Sequence, residues 1–206
     1  MSNQQQDAPL EYYLGKFREL DPDEAVKRTG LGFDAGLSRF TFEFLGFTLY
    51  APWPEFKLVP AAPERCPKTL CDFSAQILVL RFLLEGAYVL PSEDFKAYRD
   101  LPWGELYNLN FQNRCIKRLA LSFGYKPESF EKAAESLGGV KLGLGDVSFD
   151  LPFLGGVVCR LILWVPDDEF PPSAQILFSA NTPSAFNAED LAGAGEVVIS
   201  ALNEMS

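Results

Sequence analysis

One stretch, Val157 to Asn181, limits the possible folds more than any other. It reads VVCRLILWV, then PDDEFPP, then SAQILFSAN: two β-type runs around an acidic loop bracketed by prolines. The first run is apolar at both parities. Val157, Cys159, Leu161, Leu163 and Val165 fall on one face, and Val158, Ile162 and Trp164 on the other, with Arg160 the sole interruption. A strand apolar on both faces belongs in the interior of a sheet that is covered on both sides. The chain has 206 residues, nearly half of them apolar and 18 of them phenylalanine, which is ample for a core.

The remaining elements follow in order. Residues 1–8 are expected to be disordered, and residues 9–206 to form one domain. From Pro9, Leu10, Tyr13, Leu14 and Phe17 recur at helical spacing. Asp21-Pro22 reads as an N-cap with proline at the first helical position, opening a short helix that stops at Gly30. Strands are expected over Arg39–Phe44, Phe47–Ala51 and Phe56–Val59, with a turn at Leu45-Gly46. Asp72 caps an apolar helix through Glu85. Residues 91–103 read as an irregular connection. A long helix follows over Glu105–Phe123, with Leu109, Ile116, Leu119, Ala120 and Phe123 inward and Arg114, Lys117 and Arg118 outward. Pro127 opens another helix, stopped by Gly138-Gly139, and Val147–Leu151 alternates as a strand. Asn187, with Asp190 at the third position, caps the last helix. Helices and strands occur in segregated runs. The fold class is therefore α+β, a mostly antiparallel sheet packed with helices in a single compact domain. No Gly-, Ser- or charge-rich linker divides the chain.

Charge and composition exclude several functions. A formal charge of −10 gives no basic footprint for nucleic acid or for anionic lipid. No run of about 20 apolar residues is present to span a membrane. The N-terminus lacks the basic and apolar regions of a signal peptide, so a cytoplasmic protein with reduced thiols at Cys66, Cys71, Cys115 and Cys159 is expected. Histidine is absent. That removes Ser-His-Asp and Cys-His catalysis and His-ligated metals, and leaves Asp, Glu, Lys, Tyr or Cys for any acid–base step.

Several clusters could bear ligands, each beside a plainer reading. Asp167, Asp168 and Glu169 could hold a hard cation, or simply solvate a hairpin loop; the EF-hand pattern is missing. Tyr98 and Arg99, followed by Trp103, could line a pocket in which Arg99 grips an anion, or belong to a loop pinned by Trp103. Cys66 and Cys71, in CPKTLC, could join a cluster or zinc site, yet no C-x₂-C pair accompanies them; a disulfide between them is the other possibility. Gly138-Gly139 and Gly143–Gly145 follow a helix and precede a strand, the reverse of a phosphate-cradling order. Arg160, if buried, needs a carboxylate, with Asp150 and Glu43 the nearest prospects. Trp53 and Tyr50 are aromatic residues that an interface with a partner chain could use.

With these residues in place the chain resembles a prokaryotic family designated domain of unknown function 3786, from about Tyr13 to Leu202. The likeness is carried by Leu101-Pro102-Trp103-Gly104, Gly138-Gly139 with Gly145-Asp146, the run from Trp164 to Pro172, Ile176-Leu177-Phe178, and Glu189-Asp190. The Asp-Glu-Phe-Pro block ahead of the Ile-Leu-Phe strand is its most specific part. The resemblance implies no assigned activity and no catalytic residue. It implies an anaerobe and a setting of low-potential redox or corrinoid-linked methyl transfer, because some relatives carry an upstream four-cysteine iron–sulfur module. This chain departs there, with no cysteine before Cys66.

The leading expectation is a non-catalytic module that binds a small molecule or a protein partner in such metabolism. Its site is expected where the Asp167–Phe170 loop meets Leu101–Gly104. Metal and cofactor are unknown at this stage. The alternative is a metal- or cluster-dependent redox protein or enzyme working through carboxylates or cysteines.

Overall fold

The structure, a computed structural model, describes residues 4–90 and 92–206. In chain order the helices and strands are α1 (Gln4–Arg18), α2 (Pro22–Thr29), β1 (Gly32–Asp34), β2 (Arg39–Phe44), β3 (Phe47–Pro52), β4 (Val59–Pro60), α3 (Phe73–Glu85), β5 (Phe95–Ala97), α4 (Gly104–Phe111), α5 (Lys117–Phe123), α6 (Pro127–Ser136), β6 (Val140–Leu142), β7 (Val147–Pro152), β8 (Val158–Trp164), β9 (Ser173–Ser179) and α7 (Ala188–Met205). Helix α1 starts ahead of Pro9. Of the segment expected to be disordered, residues 1–3 lie outside the described residues.

The caps form as their residue types dictate. Asp21 accepts from the backbone N–H groups of Asp23 and Glu24 to start α2. Asp72 accepts from Ala75 N–H at 3.0 Å to start α3. Asn187 and Asp190 exchange two bonds, 3.0 and 3.1 Å, as a capping box for α7. Helix α3 also gains a cap invisible in its own sequence. The Arg28 guanidinium donates to the carbonyls of Phe82 and Leu83 in the last turn and of Gly86 just beyond it, at the end where a helix is short of donors.

Among the described residues the strands form two antiparallel sheets, ordered β1-β2-β3-β4 and β5-β9-β8-β7-β6. The fold is α+β, with one shared core in a single compact domain. The hairpin turns of the two sheets meet: Phe44, before the Leu45-Gly46 turn, packs edge-on against Phe153 with ring centroids 5.0 Å apart. Helices α5 and α6 lie on one face of the five-stranded sheet, over Phe149, Leu161, Leu163, Ile176 and Phe178, all essentially inaccessible, and α7 packs against α3, α4, α5 and α6.

Strand β8 is central in its sheet, as its apolar run requires. Its second face is less covered than the sequence predicts. Ile162 is buried, but Trp164 is 37% exposed. The same face carries an ion pair near the start of β8. Arg160 and Asp150 face each other there in register, in a two-pronged ion pair of 2.8 and 2.9 Å, with Arg160 stacked 3.7 Å from the Phe95 ring centroid. That pairing supplies the carboxylate Arg160 needs, and Glu43 plays no part in it.

Three further differences have physical causes. Three-residue edge strands (β1, β5, β6) are too short to show a periodicity, so β5 lies inside what reads as an irregular connection. The strand expected over Phe56–Val59 is the two-residue β4, shifted so that Val59 and Pro60 pair with Tyr50 and Leu49; Pro60 has no N–H to give the ladder, which keeps this edge strand short. The long helix is interrupted by a π-turn at Gln112–Ile116. Its extra residue rotates α4 relative to α5, so Leu119 and Phe123 are buried while Leu109, expected inward, is 74% exposed.

Candidate functional site

The site is built from the bottom by the Leu101-Pro102-Trp103-Gly104 turn. Leu101 N–H donates to Tyr98 O (3.2 Å) and Gly104 N–H to Leu101 O (2.9 Å), chaining the 3₁₀ turn Tyr98–Asp100 to the start of α4. Gly104 sits so close that a Cβ would lie 1.8 Å from Tyr98 O. Trp103 holds a left-handed backbone, φ 65°, and its side chain projects outward, 75% exposed. Tyr98 is fully enclosed, its ring stacked on Phe111 at 4.2 Å and its hydroxyl donating to Ala188 O at 2.9 Å. Burial pushes the Tyr98 phenol up to about 12, so it is a neutral wall and a donor, not a base.

Strand β5 pairs only with Leu177–Ser179 of β9, and the chain then turns away at Tyr98. Among the described residues the start of β9 has no strand neighbour on that side, and the gap is a notch in the sheet edge of about 300 Å³. One wall is β9 itself, at Ala174, Gln175 and Ile176. The opposite wall is the α4 side of the long helix and its π-turn, presenting Asn108, Gln112 and Ile116. Trp164 closes one end, and Tyr98 and Arg99 the other. Among the described residues no carboxylate lines the notch, although the chain is strongly acidic. The Arg99 side chain is two-thirds exposed and approaches Asp100 at only 3.6 Å, which leaves its guanidinium facing solvent. An exposed strand edge, three carboxamides and a cation offer an anion with amide-like groups both charge and hydrogen-bond complementarity.

The acidic loop serves itself. Asp167 Oδ1 accepts from the backbone N–H groups of Glu169 and Phe170 at 2.9 and 2.7 Å, and these bonds hold its carboxyl below the usual range. Asp168 and Glu169 are exposed. Asp167 and Phe170 border a shallow depression with Asp146 and Trp164, and Asp146 is engaged by Val165 N–H at 2.8 Å. Of the residues singled out from sequence, Tyr98 and Arg99 line the notch and Asp167 lines the adjoining depression. Trp164 is shared by both. Trp103, Asp168 and Glu169 line neither, so the expected meeting of the two loops is replaced by contact through Trp164. Sequence reasoning missed Asn108, Gln112 and Gln175. The signal available was the i, i+4 pair of carboxamides on the helix stripe that continues to Ile116.

Among the described residues no three Cys, Asp or Glu side chains converge to hold a metal ion. No helix among them is long and apolar enough to cross a membrane. Trp53 and Tyr50, expected at an interface, are engaged within the chain: the indole N–H donates to Phe17 O at 3.1 Å, and Arg39 stacks 3.8 Å from the Tyr50 ring. Exposed apolar side chains occur instead on α4, where Leu106 and Leu109 are more than 70% exposed near Trp103 and Tyr107, and also at Leu90, Leu121 and Tyr125.

No curated protein and no solved structure matches this sequence. One family profile does, that of DUF3786, described as a domain of unknown function, over residues 21–201. The match takes in both sheets, the notch and nearly all of α7, and the chain therefore belongs to the DUF3786 family.

Proposed function

We propose that the protein is a non-catalytic binding module that takes a small anionic ligand carrying amide groups into the sheet-edge notch. The observation that carries this reading is the carboxylate-free lining with Arg99 at its mouth, in a chain of net charge −10. Acyl amino acids and short acidic peptides have the matching chemistry, since the open β9 edge can pair with a peptide backbone while Arg99 meets a carboxylate. Trp164 supplies the apolar wall. The anaerobic redox or corrinoid-linked setting implied by the family resemblance bears on which metabolites to test. A corrin macrocycle is too large for a notch of about 300 Å³. Calorimetric titration with N-acetyl-aspartate, acidic tripeptides and basic tripeptides tests the proposal. Binding of the acidic set alone, weakened at least tenfold (about 1.4 kcal/mol) by Arg99→Glu, is expected. Equal binding of basic peptides, or no effect of Arg99→Glu, overturns it.

A second reading rests on a different observation, the exposed apolar face of α4. Leu106, Leu109 and Trp103 together form a patch of the kind that meets another protein. In that reading the partner covers α4, and its test belongs to the helix as an element.

A further inference from the structure

Cys66 and Cys71 do not line the notch. Cys66 N–H is anchored to Ala62 O at 3.2 Å, and Leu70 N–H to Pro67 O at 3.1 Å, so one tight 3₁₀ turn, Lys68–Cys71, brings the second cysteine back to the first. The two thiols lie close enough to perturb each other, and the Cys66 thiol donates to Pro67 O at 3.6 Å. Both are free and only half-buried. Cys66 opens onto a cleft of about 620 Å³ that Arg65, Lys68, Glu64 and Glu204 also line. The same turn is capped from α7: Glu204 accepts from Lys68 N–H at 2.7 Å and Thr69 N–H at 3.0 Å. The remaining cysteines are different. Cys115 and Cys159 are about 1% exposed, and burial pushes both thiols up, Cys115 to about 12.

We propose that Cys66 and Cys71 are a reversible thiol–disulfide pair, oxidised by a low-molecular-weight disulfide RSSR, with Cys71 the attacking and Cys66 the resolving sulfur. In the first step the Cys71 thiolate attacks one sulfur of RSSR, forming Cys71–S–S–R and expelling RS⁻. Cys66 then gives up its proton and attacks the Cys71 sulfur, expelling the second RS⁻ and closing the Cys66–Cys71 bond. Two protein thiols are oxidised, RSSR is reduced, and the two protons leave with two RSH. Excess thiol runs the sequence backwards. The bond to the Pro67 carbonyl sets the order: it keeps the proton on Cys66 until the second step, while the neighbouring Cys66 thiol holds the Cys71 thiol below its ordinary value. Arg65 and Lys68, set beside Glu64 and Glu204, give the cleft charges of both signs, which match a zwitterionic disulfide such as oxidised glutathione.

The test is to incubate the full chain with oxidised glutathione and to read the intact mass and a non-reducing peptide map. The wild-type chain is expected to lose a pair of hydrogens, carry one Cys66–Cys71 disulfide and no adduct, and recover with dithiothreitol. Cys66→Ser is expected to stop at a glutathione adduct on Cys71. Cys71→Ser should react on the order of tenfold more slowly. Unchanged melting temperatures of the two serine variants show that folding is intact. Absence of the disulfide in the wild-type chain, or maleimide labelling of Cys66 and Cys71 no faster than of Cys115 and Cys159, overturns the proposal. A stable adduct on Cys66 in Cys71→Ser, formed as fast as the adduct in Cys66→Ser, overturns the assigned order.

Discussion

Gly104 is the residue on which the notch depends. Its missing side chain lets α4 begin directly against the Tyr98 carbonyl, and no rotamer relieves a contact with backbone. Gly104→Ala is therefore expected to cost about 3 kcal/mol or more, read as a lowered urea midpoint, with Tyr98 losing its enclosure. A cost below about 0.5 kcal/mol would show that the turn can move aside. Residue-level chemistry was readable from sequence where partner and spacing were local or in register. The caps at Asp21, Asp72 and Asn187 are examples, and so is the need of Arg160 for a carboxylate. It was unreadable where the partner came from far along the chain. Arg28 reaching the end of α3, and Glu204 capping the CPKTLC turn, leave no trace in local pattern.

For whole elements, the strands that read clearly were those of six or seven residues, in which alternation accumulates: β2, β3, β7, β8 and β9. The notch was hidden because it arises from what an element lacks. β5 stops after three residues and leaves β9 bare. The π-turn was hidden for another reason: apolar residues continue at helical spacing on both sides of it, and only the inverted exposure of Leu109 reveals the shift in register. Helix α4 carries its own prediction. Leu106→Lys with Leu109→Lys should change stability by no more than about 0.5 kcal/mol, since neither side chain is packed. If α4 is a docking face, the same double substitution abolishes association seen by sedimentation or in a reconstituted complex. Retained association, with stability unchanged, removes the second reading.

The molecule as a whole has a pH dependence concentrated where α3 meets α7. Asp190 is 7% exposed and sits 2.9 Å from the Arg81 Nε, a charge contact in which that nitrogen makes no aligned hydrogen bond. Burial outweighs the attraction of Arg81, and Glu189 and Glu85 oppose ionisation further, with the Tyr13 ring also against the group; the carboxyl is raised to about 6. Its folded value thus lies above the unfolded value of 3.8. In the window between them the folded state holds the proton that the unfolded state has released. The stability from this group is complete below the unfolded value and is lost as pH rises through about 6, on the order of 3 kcal/mol in all. Denaturant midpoints from pH 4 to 7 should fall less steeply in Asp190→Asn than in the wild-type chain. Parallel curves would contradict the assignment. The pair was legible only as a helix cap in sequence, because its charge partner Arg81 lies on another helix.

Helix α7 has a consequence for the order of assembly. Leu191, Val198 and Leu202 lie against α3, α6 and the turn that Glu204 caps, so the interior is closed by residues translated after nearly everything they touch. A nascent chain that has reached Ser184 carries both sheets but leaves Leu78 and Phe130 without their lid. Ribosome-bound intermediates of this length are expected to be sticky and chaperone-dependent, and burial of the interior waits for α7 to emerge.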